Sequence, residues 1–180
     1  FIEIKPGSGQ NINIMEIRKK EEGNVYDDDG ALVTSGSILA QKIQQLLIFF
    51  KLIIPDMTPE EVQYVDDALL KTYGNFGITH KNKSLLDPND KKKYRKMPIL
   101  SDVYSELEKM GTPANRLCRL LTRYTTGSAS SFNAQTNVIL NNKFVVLDVS
   151  DAQKDFLPVA MFLALDYVWD KCKENRNYRT

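Results

Sequence analysis

Strand-like segments flank a block of about four helices with its own start and stop signals, and one further helix follows the second set of strands. A helical insertion into an α/β framework produces that order, which sets the expected fold class: α/β and helix-rich. The opening, positions 1–17, reads as short strands, with a Pro-Gly turn joining Ile2–Lys5 to Ile12–Ile14. Near the other end, "TNVILNNKFVVLDVS" reads as two strands around an Asn141-Asn142 turn. Its run "FVVLDV" is almost continuously apolar, as expected of a strand covered on both faces.

The helices announce themselves by period and punctuation. From Ser37 to Ile54, Ile38, Leu39, Ile43, Leu46, Leu47 and Phe50 form a wide apolar face opposite Gln41, Gln44 and Gln45. Ile48 and Leu52 fall on the polar side, and Pro55 ends the segment. In "TPEE", Thr58 is an N-cap, Pro59 the first helical residue and Glu61 the third member of a capping box. That helix is expected to reach Tyr73 and stop at Gly74. Two more are expected at Ser101–Met110 and Pro113–Tyr124, the second capped by Thr112 and stopped near Gly127. The short Gly111-Thr112 link makes them an antiparallel or angled pair. A last helix, about Asp155 to Glu174, is apolar almost all round, and such a helix is expected to be buried.

Gly7-Ser8-Gly9 has the look of a phosphate-binding loop. G-x-x-x-x-G-K-[ST] requires a Lys and a hydroxyl after its last glycine, but Gln10 and Asn11 follow Gly9. The dinucleotide fingerprint fails as well, so the stretch reads as a turn. Asp27, Asp28 and Asp29 lie in an acidic stretch that lacks the twelve-residue ligand spacing of a calcium loop, and it reads as solvated.

Asp148, at the end of an apolar strand, is a candidate site residue, since strand-end carboxylates in α/β folds face the ligand crevice. Its alternative role is a turn cap with Ser150. Between Gly77 and Met97, "ITHKNKSLLDPNDKKKYRK" carries seven Lys and Arg against two Asp. It reads as a solvated connection, with Lys91, Lys92, Lys93 and Arg95 as candidate contacts for DNA or an acidic partner. No aromatic stacking series accompanies it. His80, among those lysines, reads as an exposed and uninvolved imidazole.

A net charge of +1 gives no global case for nucleic acid. Cys118 and Cys172 lack metal spacing and read as small core residues, which suits a reducing, cytosolic setting. No metal site is expected, and no run of 18 apolar residues spans a membrane. The 180 residues suit one domain, or one domain with a small insertion. Phe1 begins mid-pattern and "KENRNYRT" ends in a charged helix tail, so the chain is expected to be a piece of something longer.

The segments together resemble one family. "FIEIKPGSGQNINIMEI" is similar to the stretch after the Walker A helix in conjugation and type IV secretion ATPases of the TraC/TraE type, within the VirB family. "TGSASSFNAQTNV", "NNKFVVLDVS" and "LPVAMFLALDYVWDKCKENR" resemble the stretch leading into that family's Walker B strand. The resemblance covers about 1–17 and 124–176, and the middle matches in helical character. Met15 stands where the family often has Pro, and Ala134 where it often has Gly.

The resemblance implies part of a RecA-like P-loop ATPase framework carrying an all-helical insertion. Its expected divisions are 1–36 for N-terminal strands and loop, 37–125 for the insertion, and 126–180 for strands and buried helix. Walker A and Walker B would both lie outside the chain, so it would contain neither catalytic nor nucleotide-binding residues. ATP and Mg²⁺ would belong to the parent motor, which powers DNA transfer or secretion from the inner face of the cell membrane. Expected partners are other subunits of the secretion complex and further copies of the chain. The alternatives are a self-contained helical interaction module, using the Ser37–Leu70 helices or Lys91–Lys93, and an unfamiliar enzyme with a cleft around Asp148.

Overall fold

Ser37 begins helix α1 (Ile38–Ile53), its hydroxyl accepting from the Ala40 N–H. One residue of the basic loop, Asn82, finishes that helix end. Asn82 Oδ1 accepts from the Ile38 N–H, and its amide donates to the Gly36 carbonyl. Helix α2 (Pro59–Asn75) starts as expected: Thr58 Oγ1 accepts from the Glu61 N–H, and the Glu61 carboxylate accepts from the Thr58 N–H at 2.9 Å. It does not stop at Gly74. The chain turns at Gly77, whose φ of +74° suits glycine, and the Ile78 N–H closes on the Tyr73 carbonyl.

The computed structural model describes residues 2–3, 9–18, 36–130, 133–138, 146–148 and 157–175, with side chains of the last helix described to Trp169. The acidic stretch at 21–30, the side chain of Cys172 and most of the expected hairpin lie outside this description. The rest of the described order is β1 (Ile2–Glu3), then after α2 helices α3 (Leu100–Lys109) and α4 (Asn115–Thr125), β2 (Leu147–Asp148), and α5 (Leu157–Asn175).

Helices α1 to α4 pack in sequence order, α2 on α1, α3 on α2 and α4 on α3. Their shared core includes Leu46, Phe50, Val65, Leu69, Leu107, Leu117 and Leu121, all without solvent exposure. Each such apolar side chain contributes about 1.5–3 kcal/mol of transfer free energy. The expected cap at Thr112 is corrected: Thr112–Ala114 form a 3₁₀ turn, and α4 begins two residues later than expected, at Asn115. Proline at 113 suits that tight turn as well as a helix start, so composition does not separate the two.

Gly127 does stop α4. Its N–H and that of Thr126 both reach the Thr122 carbonyl, and the Ala129 N–H takes the Arg123 carbonyl. A Cβ at Gly127 would sit 2.8 Å from Arg123 Cα and 2.9 Å from its carbonyl oxygen. Gly127→Ala is therefore expected to cost about 1–3 kcal/mol, because backbone rather than a flexible side chain must yield. Urea unfolding of the variant checks this, and an unchanged midpoint would show that the helix end relaxes freely.

Among the described residues the strands are brief. β1 and β2 pair in parallel, Ile2 opposite Leu147 and Glu3 opposite Asp148, and the Ile2 N–H donates to Val146. The expected strand Ile12–Ile14 is absent. Ile14-Met15 form a turn closed by the Glu16 N–H on the Asn13 carbonyl, because the Asn13 side chain captures the Met15 N–H. Ile12, Ile14, Met15 and Ile17 are nonetheless buried.

Helix α5 lies against α1 with Asp166 near Lys42 and Phe162 near Phe49, so the two run in opposite directions. The expectation that α5 is buried all round is overturned. Val159, Ala160, Leu163 and Tyr167 are buried, but Leu165 is 60% and Trp169 59% exposed. One apolar side meets the body, and no described residue covers the other. None of the described helices is long and apolar enough to cross a membrane.

Candidate functional site

Asp148 sits at the end of β2, half-buried, in register with Glu3 of the parallel partner. The basic loop is more ordered than its composition suggests. A 3₁₀ turn at Asn82–Leu85 and an antiparallel bridge between Leu86 and Tyr94 close it into a lariat. Arg95 is drawn into that structure: its N–H meets the Leu85 carbonyl and its Nε the Ser84 carbonyl, with the guanidinium over Gly77. Lys91, Lys92 and Lys93 remain on the surface. Asp90 lies among them, held below the usual carboxylate range by the Lys92 backbone N–H and then by the Lys93 ammonium at 3.3 Å. The loop thus presents lysines partly offset by an internal carboxylate. His80 is not uninvolved, since its Nδ1 lies 3.1 Å from the Ser37 hydroxyl.

Asp148 and the basic loop are separate features, and the densest polar chemistry lies elsewhere. Residues 9–18 and 133–138, more than a hundred positions apart, are stitched together. The Asn11 N–H donates to Asn137 Oδ1 at 2.7 Å, and the Asn137 N–H returns to the Asn11 carbonyl. Thr136 Oγ1 accepts from the Asn13 N–H and donates to Glu16. The same segments grip the helical block: Asn13 Nδ2 donates to the Pro98 carbonyl, Gln135 to Met97, and Asn133 Nδ2 to Thr125. The buried Tyr73 hydroxyl of α2 donates to the Met15 carbonyl at 2.5 Å. Burial, and secondarily the Asp166 charge, raises that phenol's pKa well above its ordinary value, so it stays a donor.

Below this seam lies a charged junction. Asp166 of α5 meets Arg18 at 2.9 Å and Lys42 of α1 at 3.6 Å, with the Lys42 and Asp166 side chains nearly out of solvent. Neither was singled out from the sequence. The available signal was Lys42 on the apolar face of α1, between Leu39 and Leu46, and an aspartate within the apolar run of α5.

Beside the junction, Gln45 and Ile48 of α1 and Phe162, Leu165, Val168 and Trp169 of α5 line a groove of about 360 Å³. Its walls are apolar and its one carboxylate, Asp166, is already engaged. A second ion cluster, on the surface, ties α4 to α2: Arg116 bridges Glu61 at 2.8 Å and Asp56 at 2.5 Å. The Thr58 N–H foremost holds the Glu61 carboxyl below its ordinary range, and Arg116 adds to this. Among the described residues no three His, Cys, Asp or Glu gather as a metal site. Buried Cys118 has its thiol pKa pushed up by burial, which disfavours the thiolate.

No protein-family model and no curated protein matches the sequence. Among solved structures, the structure of VirB4 of Thermoanaerobacter pseudethanolicus is similar with a TM-score of 0.73 and 27% identity. The alignment covers 97% of this chain and 62% of that one, so this chain spans less than two thirds of its neighbour. The chain is thereby related to the VirB4-type ATPases of type IV secretion.

Proposed function

We propose that this relative of the VirB4-type ATPases is the part of a secretion motor that lies between its two nucleotide motifs. In this reading it carries the helical insertion on a RecA-like sheet and hydrolyses nothing alone. The observation that carries it is the seam: residues 9–18 and 133–138 pair with each other across a gap that contains α1 to α4. A helical block whose two flanks are joined at its base is an insertion in an underlying framework. The parallel pairing of β1 with β2 supports a sheet of the α/β kind, because two strands of two residues cannot stand alone. The sequence has no G-x-x-x-x-G-K-[ST] run, so the phosphate-binding Lys and the Mg²⁺-binding hydroxyl must come from elsewhere in the motor. ATP and Mg²⁺ are then cofactors of the longer protein, which works with other secretion subunits at the cytoplasmic face of the membrane.

The test compares ATP hydrolysis by this chain with that of a version lengthened at both ends to include the two nucleotide motifs. Turnover only in the longer protein is the expected result. Turnover by the chain itself, surviving repurification and tracking its concentration, would overturn the reading and direct attention to Asp148.

A further inference from the structure

We propose that the neck of the basic lariat is a binding site for a phosphate group, with the Arg95 guanidinium as its fork. The inference rests on this loop alone and not on the motor reading. The two limbs of the loop are pinned at the Leu86–Tyr94 bridge, and the Arg95 N–H donates to the Leu85 carbonyl at 2.7 Å. Arg95 Nε donates to the Ser84 carbonyl at 2.9 Å, which fixes the direction of the guanidinium. The group lies against Gly77. A Cβ at that position would stand 3.2 Å from Nη1 and 3.4 Å from Cζ, so glycine is what lets it settle this close. The side chain is thereby half-buried and held from two sides.

Held in this way, Arg95 lacks an anion. Among the described residues no carboxylate pairs with it, and neither Nη donates a hydrogen bond. The two acids of the loop are used at its tip. Asp87 accepts from the Asn89 and Asp90 N–H groups, while Asp90 takes the Lys92 N–H and the Lys93 ammonium. At the end of α2, the Tyr73 and Gly74 carbonyls are taken by the Ile78 and Gly77 N–H groups. A guanidinium partly withdrawn from water without a counter-charge is costly to keep, and an anion seated on its fork offsets that cost. The two Nη groups match a pair of phosphate oxygens. Exposed Lys81 and Lys83 on one limb and Lys96 on the other add positive charge, which favours phosphate over a singly charged carboxylate.

The experiment titrates the chain with inorganic phosphate at low ionic strength and follows the guanidinium resonances of Arg95 by NMR. Chloride and acetate at matched ionic strength are the controls. A saturable shift at Arg95 with phosphate, and a much weaker one with either control, is the expected result. Arg95→Lys keeps the charge and removes the fork, and is expected to weaken phosphate binding about tenfold or more in calorimetry. Lys96→Gln, outside the fork, is expected to weaken it less than about fivefold. If Arg95→Lys does not fold, the titration of the unaltered chain still decides. Vesicles of phosphatidylcholine with and without phosphatidylglycerol distinguish the source of the phosphate. Retention on the phosphatidylglycerol vesicles alone, lost in Arg95→Lys, together with a weak response to free phosphate, makes the ligand a lipid headgroup. No shift at Arg95 with phosphate or vesicles overturns the proposal, as does acetate binding as tightly as phosphate. Binding that Arg95→Lys leaves unchanged also overturns it, because the affinity then belongs to the diffuse charge of the lysines.

Discussion

Asp166→Asn is expected to lower the unfolding free energy by about 3 kcal/mol, a large share of the ~5–15 kcal/mol that holds a domain together. The carboxylate faces Arg18 at 2.9 Å and Lys42 at 3.6 Å, and Lys42 and Asp166 are each 7% exposed at the side chain. Asparagine keeps the shape and can still accept a hydrogen bond, but it cancels no charge. Both cations then lose the carboxylate they share, in a site largely closed to water. Replacing the whole cluster by apolar residues of similar size is expected to cost much less than the single change, because no charge remains to be solvated. Urea unfolding followed by far-ultraviolet circular dichroism measures both variants. A loss below about 0.5 kcal/mol for Asp166→Asn would mean that solvent enters the junction and that the charges do not depend on one another.

The second large effect concerns Phe49, 1% exposed and placed where α1 meets α5. Its ring stands 5.7 Å from Phe50 at 77° and 5.6 Å from Phe162 at 52°, so one side chain joins its own helix to the last one. Phe49→Ala is expected to cost about 3–5 kcal/mol, the range for truncating a buried aromatic whose cavity cannot fully collapse. Phe49→Leu should recover more than half of that, since most of the volume returns and only the ring contacts are lost. The same denaturation series checks both, with Trp169 fluorescence reporting whether α5 separates before the helical block. Loss of α5 alone, at lower urea than the rest, would place the weak point at this contact.

The helical block was legible because its signals are local. Thr58-Pro59-Glu60-Glu61 encodes a capping box within four residues, and the hydrogen bonds that complete it span only three positions. Ser37 and Gly127 are likewise read from neighbours that lie within a turn or two. Signals failed where a distant partner decides. Asn13 belongs to an alternating run that reads as a strand, yet its side chain holds the Met15 N–H and the Pro98 carbonyl, and the segment turns instead. Period also misplaced the end of α2, because Gly74 sits comfortably inside a helix while Gly77 supplies the positive φ that ends it. The candidate site was less legible still. The basic loop was visible as composition, but that Arg95 is committed to the Ser84 and Leu85 carbonyls depends on the Leu86–Tyr94 bridge. Lys42 and Asp166 each look like an exception to an apolar pattern, and their meeting is not legible from either segment.

By itself the sequence determined where the helices begin and most of where they end, which of their faces are apolar, and that no phosphate loop follows Gly9. These depend on interactions across three or four residues, whose geometry is the same in any fold. The tertiary structure alone decided that residues 9–18 and 133–138 pair beside the helical block, that Arg18, Lys42 and Asp166 form one junction, and that only one apolar side of α5 meets described residues. Each joins groups tens to more than a hundred positions apart. What brings them together is the packing of whole elements, and no local pattern carries that information.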